Sequence, residues 1–250
     1  MVIRIGILVL LLVGVGARSA GFDHSHTNLT MVLQKHVRDG LVSYRALKAD
    51  RRGLDRFLSA TSKVKGTEFD HWTENQQVAY LINVYNSRTL ELILDHYPLK
   101  SIKKIGWLPG AAWRKKFVPL FGKTISLGHI EHEILRKRYN LPEIHFALVC
   151  AAKGCPPLRA DAYTAVSLRE QLAEQGRHFL QNTPKNRVLS SKKRLLLSPI
   201  FDWFESDFEK KSGSVTAFVK LYLPPADAAL VTDAYRITYT DYDWSLNDRL

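Results

Sequence analysis

The chain has 250 residues, of which 46% are hydrophobic and 24% charged. This ordinary globular composition fits one large domain or two small ones, and two cysteines are too few for a disulfide framework, so a hydrophobic core must hold the fold. The formal net charge is +12, but the basic clusters carry no nucleic-acid-binding signature, and we expect no nucleic-acid partner.

The first twenty residues resemble an export signal. A basic start, Met1–Arg4, precedes an apolar run from residue 5 to residue 15, and small residues follow it. The run is shorter than the roughly 20 apolar residues that a membrane-spanning helix needs. We therefore predict a signal peptide over residues 1–19, cleaved after Ser19, and a secreted or periplasmic protein. The alternative is an uncleaved N-terminal membrane anchor.

Helices and one short strand are predicted for the N-terminal part of the mature chain. Residues 28–38 form a predicted helix, residues 41–47 a short strand, and a second helix extends to about residue 62. The strongest predicted helix covers residues 74–97, because apolar residues occur on nearly all of its faces. Such a helix is expected to be central and buried.

Two asparagines lie inside this predicted central helix. Asn83 and Asn86 are three residues apart and share a helix face. Amides in a core need hydrogen-bond partners. They are candidate substrate-binding groups, and the alternative is that both are structural amides bonded to loop backbone.

Helices outnumber strands in the rest of the chain, without βαβ regularity. We therefore predict an α+β fold with a single domain, in which the central buried helix packs with other helices against a small, mostly antiparallel sheet. The predicted strands are residues 113–120, 123–125, 145–150, 187–190, 194–198 and 235–239. The predicted helices are residues 127–139, 167–180, 199–212 and 214–223.

The segment from residue 144 to residue 158, IHFALVCAAKGCPPL, contains both cysteines. If residues 145–150 form a straight strand, His145 and Cys150 lie on opposite faces and about 16 Å apart, too far for a catalytic dyad. Cys155 follows a turn that contains Lys153, and loop amides with a nearby cation favour a thiolate nucleophile. The alternative is a Cys150–Cys155 disulfide, which an oxidising compartment permits.

The predicted helix after Ser126 supplies a candidate acid and base. Glu131 lies in the middle of an apolar arc of this helix, and His132 lies at the edge of that arc. A carboxylate on a buried stripe must find a partner or have its pKa raised. Glu131 is then an orienting group with His132 as general base, and the alternative is a buried structural pair.

No cofactor or metal is expected. The segment from His129 to His132 is one residue short of the H-x-x-E-H zinc motif, and the chain has no phosphate loop, nucleophile elbow or dinucleotide fingerprint. A zinc site built from His132, His145, Cys150 and Cys155 is compositionally conceivable. The strand that separates His145 from Cys150 argues against it.

Several ordered motifs resemble those of one protein family. They are Asn83–Asn86, Tyr97–Ile102, Ile130–Arg136, His145–Pro156, Ser198–Trp203, Asp207–Phe208 and, more weakly, Asp243–Asn247. Together they resemble the domain of unknown function 547 family. The resemblance implies one domain of that type over residues 22–250, with its core at about residues 41–208 and frequent export in bacteria. It implies no reaction, because no activity is established for the family.

Removing the signal peptide leaves a net charge of +10, concentrated in four clusters. They are Arg114–Lys116, Arg136–Arg138, Lys192–Arg194 and Lys210–Lys211. An exported basic protein meets anionic cell-envelope polymers and the membrane surface, which are the expected partners beside an unknown substrate. The alternative is a solvated basic surface. We expect a monomer.

Two functional hypotheses follow from these residues. In the first, the protein is an exported thiol-dependent hydrolase or acyl transferase. Cys155 is its nucleophile, or Cys150 if the strand end is exposed; His132 is the base, Glu131 its orienting group, and Asn83 or Asn86 a polar clamp. In the second, it is a non-catalytic envelope-binding domain with a structural disulfide and a basic anion-binding surface.

Overall fold

The computed structural model describes residues 21–182 and 184–249, which form a single α+β domain. The predicted signal peptide lies outside these residues. No helix in these two ranges is long and apolar enough to cross a membrane. The α-helices there are α1 (Thr27–His36), α2 (Tyr44–Ala49), α3 (Arg52–Ser62), α4 (Gly66–Asp70), α5 (Glu74–His96), α6 (Ala111–Arg114), α7 (Arg136–Arg138), α8 (Leu168–Leu180), α9 (Ile200–Trp203), α10 (Glu205–Ser212), α11 (Val215–Lys220) and α12 (Pro225–Leu230).

The strands are short, and the remaining helical turns are of other types. The strands are β1 (Val37–Arg38), β2 (Leu41–Val42), β3 (Lys116–Leu120), β4 (Lys123–Ser126), β5 (Arg187–Leu189), β6 (Arg194–Leu197) and β7 (Arg236–Tyr239). The 3-10 helices are Ile102–Lys104, Pro142–Phe146 and Ser190–Lys192, and a π-helix covers His129–Leu135.

Helix α5 is the centre of the domain, as its sequence predicts. A capping box begins it: the Thr73 hydroxyl accepts a hydrogen bond from the Gln76 amide, and the Gln76 side chain accepts one from the Thr73 amide. Nearly every residue from Val78 to Leu94 is buried. A helix that is apolar on all faces gains most of its stability from packing, so its neighbours fix its position.

The strands form three separate sheets instead of the one small sheet expected. β1 pairs with β2 and β3 with β4, both antiparallel. In the third sheet β6 pairs antiparallel with β5 and parallel with β7, which places Leu195 opposite both Val188 and Ile237. The two predicted strands at residues 187–190 and 194–198 are therefore confirmed, and they pair antiparallel; across the three sheets of the described residues only the β6–β7 pair is parallel.

The predicted strand at residues 145–150 is wrong. Pro142 begins a 3-10 helix that continues to Phe146, and the chain then runs to Cys150 without strand pairing. The Asn86 side chain takes the place of a neighbouring strand, because its Nδ2 donates to the Ala147 carbonyl at 2.9 Å and its Oδ1 accepts from the Val149 amide at 3.0 Å. Tertiary hydrogen bonds thus override the β propensity of this segment.

Two hydrophobic cores pack within the domain. The larger surrounds α5 and includes helices α1 to α3. The smaller is rich in phenylalanine and joins α8 to the C-terminal helices through Phe146, Phe201, Phe208 and Phe218. The segment from the π-helix to Cys150 lies between α5 and this second core, and the candidate site is there.

Candidate functional site

A cavity of about 200 Å³ contains all five residues that the sequence predicts to be catalytic. These residues are Glu131, His132, His145, Cys150 and Cys155. Most of the remaining wall is apolar or aromatic. It consists of Tyr85, Trp113, Leu148, Pro156, Ile200, Trp203, Phe204, Tyr242 and Trp244. A mainly apolar cavity with a few convergent polar groups is the usual form of a ligand site.

The two cysteines form a disulfide, which was one of the two alternatives that the sequence left open. Their Cα atoms are 6.2 Å apart. The chain turns sharply between them, because Ala151 has a φ of 54°, in the left-handed region. Cys155 is only 4% exposed, whereas Cys150 is half-buried, so Cys150 is the more accessible sulfur.

The C-terminal segment holds this turn in place. The Asn247 amide donates to the Ala151 carbonyl at 3.1 Å, and the Lys153 amide donates to the Ser245 carbonyl at 2.9 Å. The same segment brings Tyr242 to the disulfide. Its hydroxyl lies 3.2 Å from the Sγ atom of each cysteine.

Two hydrogen-bond donors therefore face the sulfur atoms. The Cys150 amide donates to Cys155 Sγ at 2.9 Å, and the Tyr242 hydroxyl is the second donor. Burial, together with the charge of Glu131, raises the pKa of Tyr242 well above its usual value, so this phenol keeps its proton. Donors of this kind stabilise a thiolate when one is formed.

His145 is held by the carboxylate of Asp207, which the sequence analysis named within a family motif but not as a site residue. Its Nε2 lies 2.7 Å from Asp207 Oδ2, and Arg136 contacts both carboxylate oxygens, at 2.6 and 3.0 Å. Burial acts to raise the pKa of Asp207, but the hydrogen bonds from His145 and Arg136 outweigh it and lower that pKa. Asp207 is thus an acceptor, and the Nε2 of His145 must be the donor.

The imidazole of His145 is consequently a neutral base in a fixed orientation. Burial lowers the pKa of His145, and the hydrogen bond with Asp207 only partly opposes this. The ring stacks on Phe204 with a centroid distance of 3.8 Å and an interplanar angle of 18°. In a neutral imidazole with a proton on Nε2, the lone pair is on Nδ1.

His132 is oriented differently. It is exposed at the cavity wall, and Arg136 Nη1 lies 3.1 Å from its Nδ1. A guanidinium can only donate, so Nδ1 accepts and the ring proton is on Nε2. In this arrangement the Nδ1 of His132 is occupied as an acceptor by Arg136.

Glu131 is buried as predicted, with 8% of its surface exposed. Its hydrogen bond comes from the Tyr85 hydroxyl at 3.1 Å, whereas His132 bonds to Arg136. A π-helix, His129–Leu135, carries both Glu131 and His132 where the sequence predicts an α-helix.

The three predicted substrate-binding residues do not line this cavity. Asn83 exchanges two hydrogen bonds with the backbone of Tyr163, and Asn86 holds the backbone of Ala147 and Val149. Both amides are therefore bonded to loop backbone, which was the alternative reading of the sequence. Lys153 is exposed and lines a second cavity of about 420 Å³, which Cys155 also lines.

The predicted site did not include Asp207, Arg136 or Tyr242, although the first two lie in the family motifs. A signal existed for Asp207, because it lies three residues after Phe204 and immediately before Phe208, on the edge of an apolar stripe. That is the argument that identified Glu131. No local pattern identifies Tyr242, because its role arises from contact with a loop 87 residues away.

The conceivable zinc set does not assemble. The sulfur atoms of Cys150 and Cys155 bond to each other, and His145 bonds to Asp207. Across the described parts of the chain, no group of three or more His, Cys, Asp or Glu side chains is placed to hold a metal ion.

Comparison with known proteins adds one match. A family model described as "Protein of unknown function, DUF547" matches residues 69–180. The matched segment includes α5, the π-helix, His145 and both cysteines, whereas Asp207 and Tyr242 follow it in the chain. No curated protein and no solved structure matches this sequence.

Proposed function

The chain belongs, through residues 69–180, to the DUF547 family, and because that family's description assigns no activity, we propose a function from the cavity itself. The proposal is a thiol-dependent hydrolase or acyl transferase. Cys150 is the nucleophile, and a reductant first releases it from its bond to Cys155.

One observation carries this proposal. A cysteine sulfur lines the same cavity as an imidazole whose Nε2 is bonded to a carboxylate at 2.7 Å. Nucleophilic catalysis by cysteine needs a base next to the thiol and a third group that orients the base. Here His145 is the base and Asp207 the orienting group. These residues take the roles that the sequence analysis gave to His132 and Glu131.

The chemistry balances as follows. A thiol or dithiol reductant converts the disulfide into two thiols and is itself oxidised to a disulfide. The Cys150 thiol gives its proton to His145 Nδ1, and the thiolate attacks the carbonyl carbon of an acyl substrate. The leaving group departs with the proton from the imidazolium. Water, or another acyl acceptor, then cleaves the thioester and restores the thiol.

The other polar groups have supporting roles in this proposal. Tyr242 and the Cys150 amide face the sulfur atoms and favour the thiolate left on Cys155 after reduction. His132 presents an N–H donor at the exposed side of the cavity. Glu131, buried and bonded to Tyr85, contributes negative charge beside Arg136.

A second candidate function rests on the bond between the cysteines. A disulfide that closes a short loop beside a basic surface also suits a non-catalytic envelope-binding domain with an anionic partner. In that case the bond is structural, and reduction loosens the turn without creating a reactive thiol.

We also propose export, because the N-terminal sequence has the form of a signal peptide and an oxidising compartment maintains such bonds.

Thiol alkylation with and without reductant tests the proposal. The protein is treated with iodoacetamide before and after reduction by a phosphine, and each cysteine is quantified by peptide mass spectrometry. We expect no labelling before reduction. After reduction, the rate of Cys150 alkylation should rise with pH around a midpoint below the ordinary thiol pKa of about 8.5.

Two variants make the test specific. His145→Gln should return the Cys150 midpoint toward the ordinary value, whereas His71→Gln, at an exposed position outside the cavity wall, should not. A Cys150 alkylation midpoint near the ordinary thiol pKa that does not change in His145→Gln would contradict the enzyme proposal and favour the structural disulfide.

A further inference from the structure

An exposed apolar loop extends from the domain between residues 105 and 110. Trp107 is 102% exposed and Leu108 is 68% exposed, and Pro109 follows them. Other exposed large apolar side chains among the described residues, such as Val166 at 98%, have no second one next to them in the sequence. Scattered apolar residues are normal on a protein surface, but adjacent Trp and Leu side chains held in water need an explanation.

The backbone fixes these side chains outward. Ile105 is buried at the base of the loop, and the Ala111 amide donates to the Leu108 carbonyl at 3.0 Å. Gly106 and Gly110 both have left-handed φ values, 83° and 71°. A Cβ atom at Gly106 would lie 2.6 Å from that of Ala111, so glycine is required where the two ends of the loop approach.

Cations surround the loop. Lys103 and Lys104 precede it, Arg114, Lys115 and Lys116 follow it, and all five are exposed. The 3-10 helix that carries the first pair packs against α6, which ends at Arg114, so both groups lie at the base of the loop. The sequence has no Asp or Glu from residue 96 to residue 130. The surface is therefore apolar at its tip and positive around it.

We propose that this loop docks the protein on an anionic lipid surface. Trp107 and Leu108 insert at the level of the headgroups and upper acyl chains, and the flanking cations bind phosphate groups of the lipids. Tryptophan is enriched at this depth of a membrane because its ring is apolar with one polar N–H group. Each cation near an anionic surface adds to the attraction.

The apolar tip favours lipid over a soluble anionic polymer. A polymer of phosphates or carboxylates would be bound by the cations alone and would leave Trp107 and Leu108 in water. A lipid interface removes both from water and also satisfies the charges. The docking surface does not depend on the thiol chemistry proposed for the cavity.

Docking would bring the cavity to the lipid interface. Trp113, on α6 directly after the loop, lines the cavity. Lys103 Nζ lies 5.0 Å from the centre of the Trp244 ring, which lines it too. The loop and the cavity wall are thus contiguous parts of the structure.

Vesicle sedimentation tests this inference. The protein without its signal peptide is mixed with vesicles of phosphatidylcholine alone or of phosphatidylcholine with phosphatidylglycerol, at low and high salt. We expect strong binding only to the anionic vesicles, weakened by salt because the Debye length is about 10 Å at 0.1 M. The double change Trp107→Ser and Leu108→Ser should weaken it by about tenfold or more.

Matched variants separate lipid binding from its alternatives. Val166→Ser removes an equally exposed apolar side chain outside the loop and should bind like the unchanged protein. Lys103→Gln with Lys104→Gln should weaken binding and its salt dependence. All three variants change exposed residues, so unaltered circular dichroism is expected. Binding that is indifferent to the Trp107 and Leu108 changes, or that soluble polyglutamate abolishes equally well, would overturn the lipid proposal and favour a polymer.

Discussion

Asp207 determines the protonation of the residues around it. It accepts hydrogen bonds from His145 and from two nitrogens of Arg136, and Arg136 in turn contacts His132. One carboxylate therefore sets the tautomer of His145 directly and that of His132 through the guanidinium. Its side chain is about one quarter exposed, so the charges are only partly screened by water.

The change Asp207→Asn tests this role. The amide cannot accept at both positions, and it leaves Arg136 with an unpaired charge beside the second core. We expect a loss of about 2 kcal/mol in the free energy of unfolding. Urea denaturation measures it, with Asp202→Asn, at an exposed position five residues earlier on α9, as the control. Equal stability of the two variants would show that the Asp207 network contributes nothing to the fold.

At the scale of elements, two departures from regular structure build the site. The π-helix His129–Leu135 places Glu131 and His132 at the cavity wall, and the irregular chain from Ala147 to Cys150 replaces a strand. In a straight strand His145 and Cys150 would be separated. In the structure both line one cavity. The Asn86 amide, on α5, is what holds the irregular chain.

Asn83 and Asn86 provide a matched pair of variants. Each is a buried amide on α5 with two hydrogen bonds to loop backbone, but only Asn86 holds the chain that leads to Cys150. We expect Asn83→Ala and Asn86→Ala each to cost about 2 kcal/mol, because both leave buried backbone groups unpaired.

Their effects on the cavity should differ. After reduction, Asn86→Ala should change the alkylation rate of Cys150, whereas Asn83→Ala should leave it unchanged in the folded protein. Urea denaturation and peptide mass spectrometry give the two readouts. A similar change of the Cys150 rate in both variants would contradict a specific positioning role for Asn86.

At the scale of the whole molecule, burial of neutral histidines links stability to pH. His26 is 2% exposed among aromatic rings, and neither of its ring nitrogens has a hydrogen-bond partner among the described residues. Burial, together with the charge of His24, lowers the pKa of His26 to about 4. The folded protein therefore binds this proton less readily than the unfolded chain, whose histidines titrate near 6.5.

The sign of the pH dependence follows from that difference. The contribution of His26 to stability is complete above about pH 6.5 and is lost as the pH falls through about 4, up to about 3 kcal/mol in all. His26→Asn suits the left-handed φ of 51° at this position and removes the titration. Its free energy of unfolding should fall less steeply between these pH values than that of the unchanged protein.

Urea denaturation at neutral and acid pH measures both slopes. His71→Asn, at an exposed position, is the control and should keep the original slope. The slope should not vanish in His26→Asn, because burial also lowers the pKa of His145. An unchanged slope in His26→Asn would mean that His26 is not protonated on acid unfolding as described.

The sequence by itself determined the properties that depend on local pattern. The all-round apolar character of residues 74–97 predicted a buried central helix, and α5 is that helix. The strands near residues 187–190 and 194–198 and the burial of Glu131 also followed from the local sequence. The α+β class followed from the order of elements. These features follow from hydrophobic periodicity and the order of residues, which can be read along the chain without knowledge of distant contacts.

Only the tertiary structure decided how the site is assembled. The predicted separation of His145 from Cys150 was wrong because residues 147–149 do not form a strand. The side chain of Asn86, on α5, hydrogen-bonds their backbone instead. Asp207 bonds to His145 from 62 residues away in the chain, and Tyr242 bonds to Cys155 from 87 residues away. Contacts at such separations depend on how the two cores pack against each other. That packing depends on how many side chains from distant parts of the chain fit together, and no local pattern of residues specifies it.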